Sequence, residues 1–288
     1  MAKRKPTTQP LENVTFGNHT VPKIVKSVKF KTRNQKRFYK AIEREDSNII
    51  MAHALAGAGK TFISIQKGLE MLLHKGCDIS KLIIINPTVD VGNEDKLGYL
   101  PGDLKEKMQV HNESSLYILH KIIGEAETNK LIDSGKIEFK VLNFLRGTNI
   151  ENAYIILDEA QNASPLQLKT LITRIGDSSK LIIQGDLSQC DKYRANGVPA
   201  YQKSGFYDIW KRLGAVEGVY QIEFTKEDCV RSGIVKRILE RYEEEEKIEL
   251  GECNRVPLLV DYSTYESDET YNNYEHHTDD EEMKWYGI

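Results

Sequence analysis

Residues 51–63 read MAHALAGAGKTFI, an apolar run that dissolves into small residues and ends on Gly-Lys-Thr. A turn that only reverses the chain needs a single glycine or asparagine. The succession Gly57, Ala58, Gly59 therefore means that something must come close to this backbone. Upstream, 48–55 has the length and apolar character of a buried strand. Downstream, 61–74 places Phe62, Ile65, Leu69, Leu72 and Leu73 on one helical stripe.

The same two patterns recur along the chain. Residues 81–86, 137–142, 153–157 and 180–184 are further apolar runs of strand length. After Pro165, the residues Leu168, Leu171, Ile172 and Ile175 follow helical spacing, with Ser164 as N-cap and proline at the first helical position. A last helix is predicted over 226–245, aligning Val230, Ile234, Ile238 and Tyr242. Strand and helix in alternation predict an α/β fold, a mainly parallel sheet with helices on both faces. No repeat or long linker divides 30–245, so this stretch is expected to be one domain between a basic N-terminal arm, 1–29, and an acidic, disordered tail, 246–288.

Whole-chain properties narrow the function. The 288 residues can bury a large core. No apolar run approaches the roughly 18 residues of a membrane helix, and no secretory signal is legible, so a cytoplasmic protein is expected. Cys77, Cys190, Cys229 and Cys253 show no Cys-x-x-Cys spacing, which argues against a zinc site or a disulfide framework. The net charge of -3 hides an asymmetry: residues 1–40 hold eleven Lys or Arg against Glu12, whereas 261–288 hold nine Asp or Glu against Lys284. The basic segment, with Phe30, Phe38 and Tyr39 nearby, is either a surface that follows a phosphate backbone or a solvated arm.

In a sheet of this kind, ligands bind at loops leaving the C-terminal ends of strands. The loop Ala54-Leu55-Ala56-Gly57-Ala58-Gly59-Lys60-Thr61 is the phosphate-cradling pattern with alanine in place of its first glycine. Gly57 and Gly59 let backbone N–H groups converge on an anion, Lys60 reaches the β and γ phosphates of ATP, and the Thr61 hydroxyl ligates Mg²⁺. The alternative is a tight turn with an exposed lysine.

A second motif, YIILDEAQN at 154–162, decides between them. A buried strand that ends in adjacent carboxylates is costly unless a cation or a proton waits there. Asp158 then holds the metal's water shell and Glu159 polarises the water that attacks the γ-phosphate. The third motif, QGDLSQ at 184–189, again follows an apolar strand, and Gln189 is placed to touch the γ-phosphate or the lytic water.

Together these residues resemble the PhoH family of RecA-like P-loop ATPases, related to superfamily 1 helicases. The likeness runs from about residue 30 to 245 and includes LGYLPGDLKEK (97–107), FLRGT (144–148), LDEAQN, LITRIG (171–176), QGDLSQCD and SGFYDIWKRL (204–213). Ala54 replaces a family glycine, and INPTVDVG carries Asn86 and Asp90 where arginine and glutamate are usual. The resemblance implies that Gln35, in TRNQKRFYKAI, presents its amide to adenine. It also implies that the loop residues Ala56, Gly57, Ala58, Gly59, Lys60, Thr61 and Phe62 line the nucleotide site. Arg231 matches the family's arginine before a helix, placed as an arginine finger, with Arg174 and then Arg146 as the other candidates.

Superfamily 1 helicases close two lobes over one ATP, and this chain has residues for one lobe. The resemblance therefore implies a homo-oligomer, hexameric by family analogy, that works on RNA or single-stranded DNA. Only Glu12 is acidic among the early residues, which argues against the metal-binding nuclease domain some relatives carry. Two other readings stay open: a regulatory or assembly ATPase without nucleic-acid activity, and a degenerate P-loop protein that binds nucleotide without turnover.

Overall fold

The structure is a computed structural model that describes residues 13–16, 19–22, 29–55, 57–74, 76–87, 104–142, 145, 149–176, 178–190, 204–230, 233, 234 and 237. An antiparallel hairpin, β1 (Asn13–Phe16) and β2 (His19–Pro22), comes first. It is followed by α1 (Arg33–Glu43), β3 (Ile49–His53), α2 (Lys60–Leu73), β4 (Lys81–Asn86), α3 (Leu104–Ile123) and α4 (Glu125–Asp133). The rest is β5 (Ile137–Val141), β6 (Ala153–Leu157), α5 (Pro165–Ile172), β7 (Lys180–Gly185), α6 (Gly205–Leu213) and β8 (Val219–Glu223).

Strands β3 to β8 make one six-stranded sheet in the order β5-β4-β6-β7-β3-β8, parallel at every pairing. A parallel sheet must be covered on both faces, and successive side chains of a strand point to opposite faces. Ile50, Leu82, Ile84, Tyr154, Ile156 and Ile182 enter one core, with Phe38 and Ile42 of α1, Ile65 and Leu69 of α2, Leu119 of α3 and Leu131 of α4. Their neighbours Met51, Ile83, Ile85, Ile155, Leu157, Leu181 and Ile183 enter the other, with Leu168 and Leu171 of α5 and Phe206 and Trp210 of α6. The fold is therefore α/β with a parallel sheet covered on both faces, as the alternation of strand and helix predicts, and it agrees with the RecA-like fold that the family resemblance implies.

All five predicted strands are present, and β8 is a sixth that was not predicted. Ser164 caps α5 as expected: its hydroxyl accepts from Gln167 N, while the Gln167 side chain accepts from Ser164 N. The helix predicted over 226–245 is corrected at its start. Lys226–Asp228 is one 3₁₀ turn, because the Asp228 carboxylate accepts from Thr225 N at 2.7 Å and from Asn34 Nδ2 at 2.8 Å, pinning the segment to the start of α1. Val230 N then donates to Gly57 O at 3.1 Å. Residues 233, 234 and 237 are helical, and the remainder of that span lies outside the described residues, as does 246–288.

Candidate active site

Strand β3 delivers the glycine loop and β6 delivers the paired acids, with β7 between them. All three point their C-terminal ends the same way, so loop and acids share one edge of the sheet. Gly57 and Gly59 adopt φ of 89° and 81°, the left-handed region that favours glycine. At Gly59 an added Cβ would also lie 3.3 Å from Gln35 Nε2. Helix α2 begins at Lys60, so the loop leads into a helix N-terminus whose unpaired N–H groups suit a phosphate. Lys60 is 8% exposed, and its Nζ donates to Ala54 O at 3.4 Å.

The acids face this loop directly. Thr61 Oγ1 donates to Asp158 Oδ2 at 3.0 Å, and Glu159 N donates to Asp158 Oδ1 at 3.0 Å. Glu159 takes φ 53°, a strained conformation for a non-glycine residue of the kind that collects at functional sites. Burial, followed by the charge of Asp158, pushes the proton affinity of the Glu159 carboxyl above the usual carboxylate range. Gln161 opposes that rise by donating to Glu159 Oε2 at 2.6 Å.

Gln161 also reaches the third motif. It is buried, and its Oε1 accepts from Asp186 N at 3.0 Å. Asp186 in turn builds the 3₁₀ turn Leu187–Gln189, accepting at Oδ1 from Ser188 N at 3.0 Å and Ser188 Oγ at 2.6 Å. Gln189 is exposed on that turn. At the end of β3, burial holds the His53 imidazole below its ordinary pKa while Asp186 pulls the other way. Its ring meets Phe206 and Trp210 edge-on, which seats the loop's parent strand on α6.

The other predicted residues fall in several places. Gln35 is buried, donating to Ala58 O at 3.0 Å and accepting from Lys31 N at 2.7 Å, so its amide braces the loop. Phe62 packs against the core of the α1 and α2 face. Arg174 sits beside Ile150, whose N–H donates to Arg174 O at 2.8 Å, at the edge where β6 begins. That is a strand's length, roughly 17 Å, from the acids. Ala56, Arg146 and Arg231 lie outside the described residues.

Two residues of the site were not singled out from sequence. Gln161 and Gln184 are both buried amides bonded into it. A glutamine inside the apolar run LIIQG was the available signal for the second, since burying an amide is costly unless it is hydrogen-bonded.

The profile of the PhoH family, described as PhoH-like protein, matches residues 27–243. The chain belongs to the PhoH family. A PhoH-like protein of Bacillus subtilis (strain 168) is 37% identical over 220 residues, covering 76% of this chain and 65% of the relative. Protein PhoH of Escherichia coli (strain K12) is 36% identical over 210 residues, covering 72% of this chain and 56% of its own. The match thus spans less than two thirds of these PhoH relatives. Among solved structures, the DUF1998 helicase MrfA bound to DNA gives a TM-score of 0.40 at 11% identity over 75% of this chain and 29% of its own, a likeness too shallow to bear on function. The matched span includes the glycine loop and the paired acids.

Proposed function

We propose that the chain is a Mg²⁺-dependent ATPase whose turnover is coupled to binding, remodelling or unwinding RNA or single-stranded DNA. The observation that carries the reading is the 3.0 Å contact of Thr61 Oγ1 with Asp158 Oδ2, which joins the glycine loop to the paired acids across β7. Lys60 meets the β and γ phosphates, and the loop's N–H groups cradle them. Glu159, with its raised proton affinity, accepts the proton of the attacking water. Gln189 senses the γ-phosphate, and Arg231 meets its developing charge.

The donor set suits magnesium. A hydroxyl and a carboxylate, both oxygen donors, stand together, and no group of three metal-ligating His, Cys, Asp or Glu side chains occurs among the described residues. Magnesium is held by one or two protein oxygens, waters and phosphates rather than by an all-protein cage. Thr61 and Asp158 would hold it, and it would supply the charge that neutralises the phosphate oxygens.

Basic residues on α1 and in the segment before it support a nucleic-acid partner. In this reading the working form is a homo-oligomer, hexameric by family analogy, in which a neighbouring subunit would supply a second wall to the nucleotide site. A cytoplasmic site of action is part of the proposal; no helix among the described residues is long and apolar enough to cross a membrane. The test is ATP hydrolysis measured with and without single-stranded RNA and DNA. Stimulation that falls as salt rises is expected, and rates indifferent to both polymers would favour the regulatory reading. Glu159→Gln is expected to bind ATP and lose turnover by about 10²-fold or more; turnover at the wild-type rate would remove Glu159 from the role of base.

A further inference from the structure

Gln184 is a fully buried amide near the end of β7, the strand that separates the glycine loop from the acids. It joins them through a directed chain of hydrogen bonds. Ser64 Oγ donates to Gln184 Oε1 at 2.7 Å, Gln184 Nε2 donates to Thr61 Oγ1 at 3.1 Å, and Thr61 Oγ1 donates to Asp158 Oδ2 at 3.0 Å. Ser64 and Thr61 are three residues apart on α2, so both face the strand.

The sense of this chain follows from donor counting. A hydroxyl has one proton and two lone pairs. Thr61 gives its proton to Asp158 and takes the Gln184 N–H on one lone pair, which leaves a single lone pair on the oxygen. Were the amide reversed, its oxygen would compete for the only Thr61 proton, and Asp158 Oδ2 would lose that donor. Ser64, by donating to Oε1, sets the amide the productive way round.

We propose that Gln184 is a positioning residue: by holding the Thr61 hydroxyl with its proton toward Asp158, it leaves one fixed oxygen lone pair for the divalent cation that accompanies the nucleotide. The inference rests on the reading of this loop as a magnesium–nucleotide site. Partners one step removed from a metal ligand typically change metal affinity by 10–100-fold when removed.

The test is calorimetric binding of ADP to the full chain, in EDTA and across a MgCl₂ titration. For Gln184→Met, which keeps the side-chain volume and loses the amide, the Mg²⁺ concentration giving half of the affinity gain should rise about 10-fold or more. ADP affinity in EDTA should stay unchanged. Ser64→Ala should shift the Mg²⁺ midpoint the same way by less, and the double variant should shift it no further than Gln184→Met alone. If Gln184→Met fails to fold, Ser64→Ala decides alone: a shifted midpoint supports the role and an unshifted one overturns it. Equal weakening of ADP in EDTA and in Mg²⁺ would also overturn it, as would shifts that multiply in the double variant. A wild-type chain whose ADP affinity ignores Mg²⁺ would instead overturn the magnesium–nucleotide reading, and the inference with it.

Discussion

At Gly185 an added methyl would come within 2.8 Å of Gln161 Oε1 and 3.1 Å of Gln161 N. That close approach is what lets one side chain serve two loops, accepting from Asp186 N and donating to Glu159 Oε2. Any side chain at 185 must push Gln161 away and loosen the Glu159 carboxylate from the turn Leu187–Gln189. Gly185→Ala is therefore expected to lower kcat about 10-fold or more while the KM for ATP changes little, because Lys60 and the glycine loop are untouched. The accompanying loss of stability should be about 1–3 kcal/mol, the usual cost of overpacking. Steady-state kinetics read against denaturant unfolding check both, and a variant with unchanged kcat would show that Gln161 need not hold Glu159.

The elements that carry the site are locked together at equally close contacts. Gly68 of α2 faces Tyr154 of β6, where an added Cβ would meet ring carbons at 2.8 and 2.9 Å. Alanine improves helix propensity by about 1 kcal/mol, but forcing a methyl into a fully buried ring costs about 1–3 kcal/mol. The steric term wins over most of that range, and Gly68→Ala should lower the unfolding free energy by up to about 2 kcal/mol, measurable by urea denaturation. At α5, Ser164→Ala removes the hydroxyl half of a capping box and should cost about 1 kcal/mol with little change in turnover, measured by the same two methods. These elements also show what the sequence makes legible. Strands β4, β6 and β7 read clearly because both faces are buried, giving continuous runs such as LIII and YIIL. Edge strand β8, VYQIE, does not, since it is only partly covered and spends its buried Gln221 on a hydrogen bond to Trp210 O. Lys60, Thr61, Asp158 and Glu159 were legible because each sits at a strand or helix end with fixed motif spacing. Gln161 and Gln184 were not, because their roles depend on β7 lying between β3 and β6, a strand order that no local pattern encodes.

Across the whole molecule, Lys180 ties the sheet to the helix that braces the loop. It opens β7, is 8% exposed, and its Nζ donates to Ile42 O at 2.7 Å, Arg44 O at 2.6 Å and Ser47 Oγ at 2.9 Å. Those acceptors lie at the C-terminal end of α1 and in the connection to β3, while the other end of α1 sends Gln35 to Ala58 O. Burial, followed by the charge of Lys67, lowers the Lys180 pKa from 10.5 to about 8. Between those two values the unfolded chain binds more protons at this residue than the folded one, so its contribution to stability improves as pH rises. Below pH 8 the ammonium is charged in both states and the contribution is level, at its least favourable. The full change over the window is roughly 3–4 kcal/mol. Lys180→Met abolishes that titration and strands the helix-end carbonyls. The variant is expected to be about 1–3 kcal/mol less stable than wild type at pH 7, and the gap should widen on going to pH 10, because only the wild type gains from losing the proton. Unfolding free energies from denaturant titrations at pH 7, 8, 9 and 10 decide the matter; a gap that stays constant or closes would mean that Lys180 carries its charge in the folded state throughout, held there by the three oxygens it meets.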